Sequence, residues 1–340
     1  MTRRYRFLRS AAAPLAALVL FFAGPAEAQT GQEPASGIYE QAMRGIVRVE
    51  AEVPGDARTA SFLGTNRDGS GIVIDDSGLV LTVGYLILEA MSVTVTDAEG
   101  APVPAEIVAY DYDTGFGLVR AERPLGRPAV PLGISAGVTD GDTVLLLTEA
   151  GPSSVQPGSI VDVRRFTGYW EYLLEDAIFV SPPHPDWQGA ALIGADGRLL
   201  GVGSLFVEDA QRRPSRLPGN MFIPVDALKP VLADLLTEGR STASDRPWLG
   251  VFTSEHRGYV VVTFVAPDGP AAEYGLQRGD VILQVGETPV RTMAEFFQTV
   301  WKQGKAGVTV PLTIGRQDGI ARVDVVSADR YAYMKIGSTF

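Results

Sequence analysis

The chain has 340 residues, of which 46% are hydrophobic and 20% are charged, with a formal net charge of −11 at pH 7 and no cysteine. This length allows two or three compact domains, and the composition is typical of globular rather than disordered proteins. The acidic balance disfavours nucleic acid as a partner, because its phosphates would be repelled, and the lack of cysteine excludes disulfides, thiolate metal sites and a cysteine nucleophile.

The first 28 residues have the layout of a secretory signal peptide. Four arginines fall within the first nine residues, an apolar run follows over residues 11–22, and the segment 26–28 (AEA) is a small-x-small cleavage site. An uncleaved membrane anchor is the alternative, but the apolar run is short for a span of about 20 residues, and it contains Pro14. The sequence therefore predicts cleavage after Ala28 and export to a bacterial periplasm, where a protein without cysteine is unremarkable.

Short strands dominate the next part of the chain. Residues 29–38 are polar and are expected to be loose, whereas residues 225–238 (VDALKPVLADLLTE) are predicted to form one helix. Between them, apolar runs with alternating polarity or β-branched residues are separated by Gly, Pro, Asp and Asn, which is the pattern of strands and turns. Strands are predicted at 45–53, 71–76, 92–100, 105–111, 142–150, 158–166 and 198–206. Many evenly spaced short strands indicate a sandwich or barrels.

A second unit follows the small, polar tract 239–247 (GRSTASDRP), which is typical of a linker. A short helix is predicted at 267–276 and a longer one over 292–304. The longer helix has a T-x-x-E capping box at Thr292 and Glu295, and its apolar residues recur on one face. The predicted strands of this unit are 259–265, 280–286, 308–316 and 320–328.

Several stretches occur together in a characteristic order. They are GSGIVIDDSGLVLT (69–82), YDYDTGFGLVR (110–120), WQGAALIGADGRLLGV (187–202), NMFIPVDALKPVLADLL (220–236), WLGV (248–251) and A-A-x-x-G-L-x-x-G-D-x-I (271–282). In this order they resemble the HtrA/Deg family of exported trypsin-like serine proteases with a C-terminal PDZ domain. The resemblance covers about residues 40–330.

The resemblance implies a mainly β fold. A trypsin-like double β-barrel would occupy residues 39–238, with the active site in the cleft between the barrels. The linker 239–247 would lead to an α+β PDZ domain over 248–330 and a tail at 331–340. Family members commonly assemble as trimers, so a homotrimer is the implied assembly.

The resemblance places Tyr85, Gly115 and Gln188 at the family's histidine, aspartate and serine positions. Tyr85 carries a phenol of pKa about 10 and is a poor base near pH 7. Gly115 has no side chain with which to orient a base, and the amide side chain of Gln188 is not a nucleophile. Asp186 falls at the oxyanion-hole glycine, where a carboxylate would disfavour an oxyanion. The sequence therefore predicts a pseudoprotease with no catalytic residue, no metal and no cofactor.

An active serine-type endopeptidase with a non-standard or relocated site is the alternative. Ser181 and His184 lie close in sequence, separated by two prolines that stiffen the segment. The chain has two histidines, and both His184 and His256 are interpreted as solvated loop residues. The acidic residues near His184 do not have a recognised metal-ligand spacing.

Peptide binding is the activity that the resemblance implies for the second unit. PDZ domains take a polypeptide C-terminus as an added strand, and N–H groups of a loop hold its carboxylate. The helix at 292–304 would form one wall of the groove. The expected peptide-binding residues are Trp248, Leu249, Gly250, Val251, Phe252, Phe296 and Val300.

The predicted function is polypeptide binding in envelope protein quality control, as an adaptor, chaperone or regulator. The expected partners are polypeptide C-termini, unfolded proteins or an active HtrA homologue. A purely structural envelope protein is a further alternative, and its groove would be blocked by its own chain. The segment 330–340 (RYAYMKIGSTF), which ends in Phe340, is the candidate plug.

Overall fold

The computed structural model describes residues 33–242 and 245–334. Within it, residues 46–121 form a closed barrel of six strands. The strands are β1 Ile46–Glu52, β2 Asn66–Val73, β3 Leu79–Val83, β4 Ser92–Thr96, β5 Pro102–Tyr110 and β6 Phe116–Ala121. They pair antiparallel and close in the order β1-β2-β3-β6-β5-β4. Strand β3 is buried along its whole length, which places the turn that follows it inside the molecule.

A second closed barrel follows directly. Its strands are β7 Thr143–Leu147, β8 Gln156–Gly168, β9 Tyr172–Ser181, β10 Ala191–Ile193, β11 Leu199–Gln211 and β12 Leu217–Pro224. They close in the order β10-β11-β12-β9-β8-β7. One buried apolar cluster contains residues of both barrels, so the seam between them is packed like a domain core.

Two helices of the two-barrel part were not predicted from the sequence. Helix α1 (Glu33–Arg44) includes residues 33–38, which were expected to be loose, and Ala42 of this helix is buried in the first barrel's core. A one-turn helix, α2 (Ala60–Leu63), follows β1. Tertiary burial of one face thus stabilises a helix that the polar composition did not indicate.

The predicted single helix at 225–238 is also wrong in its extent. The segment divides into a 3₁₀ turn at Val225–Ala227 and helix α3 at Leu232–Glu238. Pro230 lies between them. A proline lacks the N–H that a helix interior needs and disfavours a helical conformation of the residue before it, so the two pieces stay separate.

The C-terminal unit is a sheet with two helices packed on it. Its elements are β13 Val251–His256, β14 Tyr259–Val265, α4 Pro270–Glu273, β15 Val281–Val285, β16 Thr288–Pro289, α5 Met293–Trp301, β17 Thr309–Arg316 and β18 Gly319–Val326. The sheet order is β13-β14-β15-β17-β18, and β16 pairs with β15. Thr292 Oγ1 accepts a hydrogen bond from Glu295 N at 3.1 Å, so the predicted cap is present. The predicted class, mainly β with two barrels and an α+β unit, is confirmed.

A last short helix joins the C-terminal unit to the first barrel. This helix is α6 (Arg330–Tyr333). The Tyr331 hydroxyl donates to Tyr110 O at 3.0 Å in the first barrel. On the other side, the rings of Tyr333 and Trp248 are 4.4 Å apart between centroids. The helix therefore holds the two parts of the molecule against each other.

Four sequence predictions lie wholly or partly outside the described residues. They concern the signal peptide (1–28), residues 29–32 of the segment expected to be loose, residues 243 and 244 of the linker, and residues 335–340 of the tail. Among the helices that the structure describes, none is both long enough and apolar enough to cross a bilayer.

The hairpin of β8 and β9 connects the second barrel to the C-terminal unit. These strands have 13 and 10 residues, whereas β7 has 5, so the pair extends beyond the barrel wall. Their pairing runs out to Gly168 and Tyr172. Residues 169–171, here called the hairpin turn, close the pair and lie against β13.

Candidate functional site

The base and carboxylate positions of the predicted triad lie side by side. Tyr85 is on the 3₁₀ turn Gly84–Leu86 after β3, and Gly115 is on the tight turn before β6. The Gly84 N–H donates to Gly115 O at 2.8 Å, so the two turns touch. The Tyr85 hydroxyl donates to Ser204 O of β11 at 2.8 Å. Tyr85 therefore reaches across the seam into the second barrel.

Gln188 approaches the same place from the second barrel. Its backbone oxygen accepts a hydrogen bond from Ser70 N of β2 at 2.8 Å. A Cβ on Gly69 would lie 2.6 Å from Gln188 O and 2.8 Å from Leu86 Cδ1, beside Tyr85. The structure thus brings the three positions together between the barrels, where the resemblance implies the active site.

Tyr85 acts as a hydrogen-bond donor at the base position. Burial raises the pKa of Tyr85 above its ordinary value of 10.0, and a hydrogen bond with the Trp187 side chain offsets only part of this. A general base must be available in its deprotonated form near the working pH. A partly buried phenol that donates a hydrogen bond to Ser204 O stays protonated, and this bond links the two barrels.

Gly115 is an unfavourable position for an orienting carboxylate. Its φ of +86° lies in the left-handed region, where a side chain is strained. A Cβ there would be 3.2 Å from the Tyr172 hydroxyl and 3.3 Å from Ile223 Cδ1. The Tyr172 hydroxyl is fixed in place because it donates to Thr114 O at 2.6 Å. Tyr172 thus occupies the space next to the carboxylate position.

The backbone donor at the predicted oxyanion position is engaged elsewhere. The Asp186 N–H donates to His184 Nδ1 at 3.0 Å. His184 Nε2 lies 2.9 Å from Ser154 O. Because a carbonyl oxygen only accepts, Nε2 carries the proton and Nδ1 is the acceptor. The imidazole therefore holds the amide that an oxyanion would need, and the Asp186 side chain is exposed.

The interpretation of His184 as a solvated loop residue is wrong. His184 is only 4% exposed. Both ring nitrogens are hydrogen-bonded, and its backbone N–H donates to Asn220 Oδ1 at 2.6 Å. Ser181 Oγ donates to Pro218 O at 2.9 Å, so the alternative nucleophile and base are each committed to other partners. His256 is exposed at the end of β13. Among the described residues, no group of three or more His, Cys, Asp or Glu is placed to hold a metal ion.

The predicted carboxylate-binding loop already holds a carboxylate, that of Glu171 in the hairpin turn. Glu171 Oε1 accepts from Gly250 N at 2.8 Å and from Val251 N at 3.0 Å. Glu171 Oε2 accepts from Leu249 N at 3.2 Å. The side chain is 6% exposed. Three consecutive amides thus converge on one carboxylate, as a PDZ loop does on a polypeptide C-terminus.

The hairpin turn also lies along the edge strand of the groove. Thr253 N of β13 donates to Tyr169 O at 2.9 Å, and the rings of Tyr169 and Phe252 are 6.0 Å apart between centroids. Gln298 Nε2 of α5 donates to Glu175 Oε1 at 3.4 Å on the following strand. The hairpin therefore contacts both β13 and α5, between which the resemblance implies that a peptide would add.

The remaining predicted peptide-binding residues are mostly internal. Phe296 and Val300 are fully buried in the apolar core of the C-terminal unit. Trp248 is also buried and packs on Tyr333 of α6. The described occupant of the carboxylate loop is Glu171, and the last residues of the tail that was the candidate plug lie outside the described part of the chain.

Acidification is expected to stabilise the parent protein relative to a Glu171→Gln variant. Burial raises the pKa of Glu171, and the three amides and the charge of Arg330 oppose this only in part. The native state then binds this proton more tightly than the unfolded chain, so stability rises as the pH falls through the raised native-state pKa and is fully gained below the ordinary Glu value of about 4.3. Calorimetric Tm values of both proteins across that range measure the effect. A difference in Tm that is independent of pH would contradict it.

Comparison with known proteins identifies both halves of the chain. The trypsin-like peptidase domain family matches residues 69–202, and the PDZ domain family matches residues 247–326. The serine endoprotease DegS of Haemophilus influenzae is 28% identical over 275 residues, covering 78% of each chain. DegS of Escherichia coli K12 is 25% identical, with 74% of this chain and 73% of the relative covered. A probable periplasmic serine endoprotease, DegP-like, of Pseudomonas putida is 27% identical over 76% of this chain and 55% of its own.

Solved structures share the fold. The serine endoprotease from Yersinia pestis superposes with a TM-score of 0.53 at 23% identity, covering 86% of this chain and 97% of its own. The HtrA-type protease AlgW, solved with a decapeptide, gives a TM-score of 0.54 at 20% identity, covering 86% and 98%. At these identities the match supports the fold, two barrels followed by a PDZ domain.

Proposed function

The chain belongs to the HtrA/Deg family of trypsin-like serine proteases with a C-terminal PDZ domain, and from this premise we propose that it binds polypeptides without cleaving them. The barrels then form a pseudoprotease, in which the scaffold is kept and the chemistry is lost. The PDZ domain supplies the binding site for polypeptide C-termini.

The observation that carries the proposal is the hydrogen bond from Tyr85 to Ser204 O. It means that the group at the base position is a partly buried proton donor. Loss of the triad in a serine protease costs about 10⁶ in kcat. The residual rate of such variants comes largely from the oxyanion hole, and here the Asp186 amide is bound to His184. The triad and the oxyanion hole are therefore both impaired in this chain.

Peptide binding is supported by the carboxylate loop. Its three amides are placed to hold a carboxylate, since they hold that of Glu171. A polypeptide C-terminus presents the same group, with an extended backbone that can add to β13. AlgW, which shares the fold, was solved with a decapeptide, and this favours the same kind of ligand.

The proposed location is the periplasm, with residues 1–28 acting as a cleaved signal peptide. The relative from Pseudomonas putida is described as periplasmic, which agrees with this. In that compartment the protein would act as an adaptor, chaperone or regulator of envelope quality control, on unfolded proteins or on an active homologue. A homotrimer is the assembly that the family favours.

Neither the parent protein nor a Tyr85→Phe/Gln188→Ala variant is expected to cleave β-casein, an unfolded substrate, above the rate in buffer. The reason is that neither position supplies a base or a nucleophile. Gel and mass-spectrometric analysis of long incubations with repurified protein measures cleavage. Cleavage by the parent that the double variant loses would mean that these residues perform chemistry and would overturn the proposal.

A further inference from the structure

The hairpin turn occupies the PDZ site in the same manner as a ligand would. We propose that this turn is an internal ligand of the PDZ domain, and that an external C-terminus binds by displacing it. The inference rests on the proposed peptide binding and names how that binding is regulated. It follows from three features: the carboxylate, the strand contact and the strain in the turn.

The carboxylate contact is the first step. Both oxygens of Glu171 are used, and the three donors are the consecutive amides of Leu249, Gly250 and Val251. A terminal carboxylate offers the same two oxygens to the same amides. Because each N–H has one proton to donate, the loop cannot hold both carboxylates at once. Binding of the turn and of an external C-terminus is therefore mutually exclusive.

The strand contact extends the likeness to the backbone. Tyr169, two residues before Glu171, accepts a hydrogen bond from Thr253 N of β13. Alternate residues of an added strand make such bonds to the edge that they join. The turn thus presents one carboxylate and one paired residue in the spacing of a peptide end. An external peptide would have to break both contacts to lie on β13.

The internal ligand is held under strain, which makes it displaceable. Glu171 has a φ of 56°, a left-handed conformation that is uncommon for a residue other than glycine. Its charge is also removed from water, and burial raises the pKa of its carboxyl. Against this, the tether keeps the local concentration of the turn high. The site is therefore expected to be closed at rest and open to a ligand that pairs without such strain.

The test is peptide affinity measured on the full-length protein. The probes are fluorescein-labelled decapeptides that end in Ala, Val, Leu, Ile, Phe or Tyr with free carboxylates, and their amidated forms serve as controls. Glu171→Ala is expected to bind the free-acid peptides at least about tenfold more tightly than the parent, because the fraction of open sites rises. Glu171→Gln, which keeps the size of the side chain, is expected to change affinity in the same direction.

A matched control and a second readout complete the design. Asp176→Asn removes an exposed carboxylate from β9, the strand that follows the hairpin turn, and is expected to leave the affinity unchanged. Hydrogen exchange of the amides of residues 249–253, measured without peptide, is expected to accelerate in Glu171→Ala.

Two results would count against the inference in different ways. Equal affinity of the parent and Glu171→Ala for the free-acid peptides would contradict the proposal that the hairpin turn is an internal ligand. The proposed peptide binding would still stand. Failure of every variant to bind, with the loop amides exchanging freely in Glu171→Ala, would overturn the proposed function itself and the gating with it.

Discussion

The variant Tyr85→His/Gly115→Asp/Gln188→Ser, which returns all three triad side chains, is expected to remain at least about 10³-fold below an active family member in kcat. The three positions converge between the barrels, so the side chains would come close together. Proximity alone is insufficient for catalysis. Tyr172 lies against the carboxylate position, and the backbone donor at the oxyanion position is bonded to His184.

The first obstacle is the carboxylate position. Any side chain at Gly115 must adopt a φ of +86°, and its Cβ would meet the Tyr172 hydroxyl at 3.2 Å. An aspartate there is therefore strained and displaced from the histidine. In the Ser-His-Asp mechanism, a histidine without its carboxylate partner loses about 10⁴ in kcat, since the required tautomer is no longer fixed.

The second obstacle is the oxyanion position. The Asp186 N–H is bonded to His184 Nδ1, and the His184 ring is fixed by Ser154 O. Loss of one oxyanion donor costs about 10² to 10³ in kcat. The exposed Asp186 carboxylate adds a negative charge near the place where the oxyanion of the reaction would form.

Labelling by a fluorophosphonate probe and cleavage of β-casein measure the two stages separately, since the probe reports an activated serine and the casein reports turnover. The triple variant is expected to show weak labelling and no turnover. Adding Asp186→Gly, which removes the exposed carboxylate, and Tyr172→Ala, which removes the hydroxyl beside Gly115, should raise both signals in steps. Full turnover by the triple variant alone would show that neither obstacle matters.

Local patterns in the sequence were sufficient to predict much of the fold. The capping box at Thr292 and Glu295 and the one-sided apolar spacing after it predicted α5, because both signals lie within a few residues. The strand YVVVTFV coincides with β14 at Tyr259–Val265. Pro230 was visible, yet its effect on the helix at 225–238 was underestimated.

The features of the site that were missed depend on distant contacts. Glu171 lies about 80 positions before the amides that it meets, and nothing in its immediate neighbourhood marks it as a ligand. What brings it to them is the length of β8 and β9, which the structure shows and the predicted strand at 158–166 did not reveal. His184 was likewise placed in solvent because its partners Ser154 and Asn220 are remote in sequence.

Gly189→Ala is expected to destabilise the protein by at least about 3 kcal/mol. Gly189 follows Gln188 with a φ of +74°, and its N–H donates to Gly203 O at 2.9 Å. A methyl group there would overlap the Ser70 carbonyl oxygen and lie 2.8 Å from Thr82 Oγ1. Thr82 Oγ1 already donates to Ser70 O at 2.8 Å. Relief of the overlap would require β2 to move and would break its contact with Gln188.

Gly137→Ala is the control for this prediction, because it separates backbone strain from overlap. Gly137 has a φ of +96°, and a Cβ there would have no atom within 4 Å. Its replacement should therefore cost only the left-handed penalty of about 1–2 kcal/mol. Urea unfolding of the parent and both variants measures the two losses. Equal losses would contradict the overlap at Gly189, whereas a clear excess at Gly189 would show that contact of this turn with Ser70 of the first barrel adds to the backbone strain.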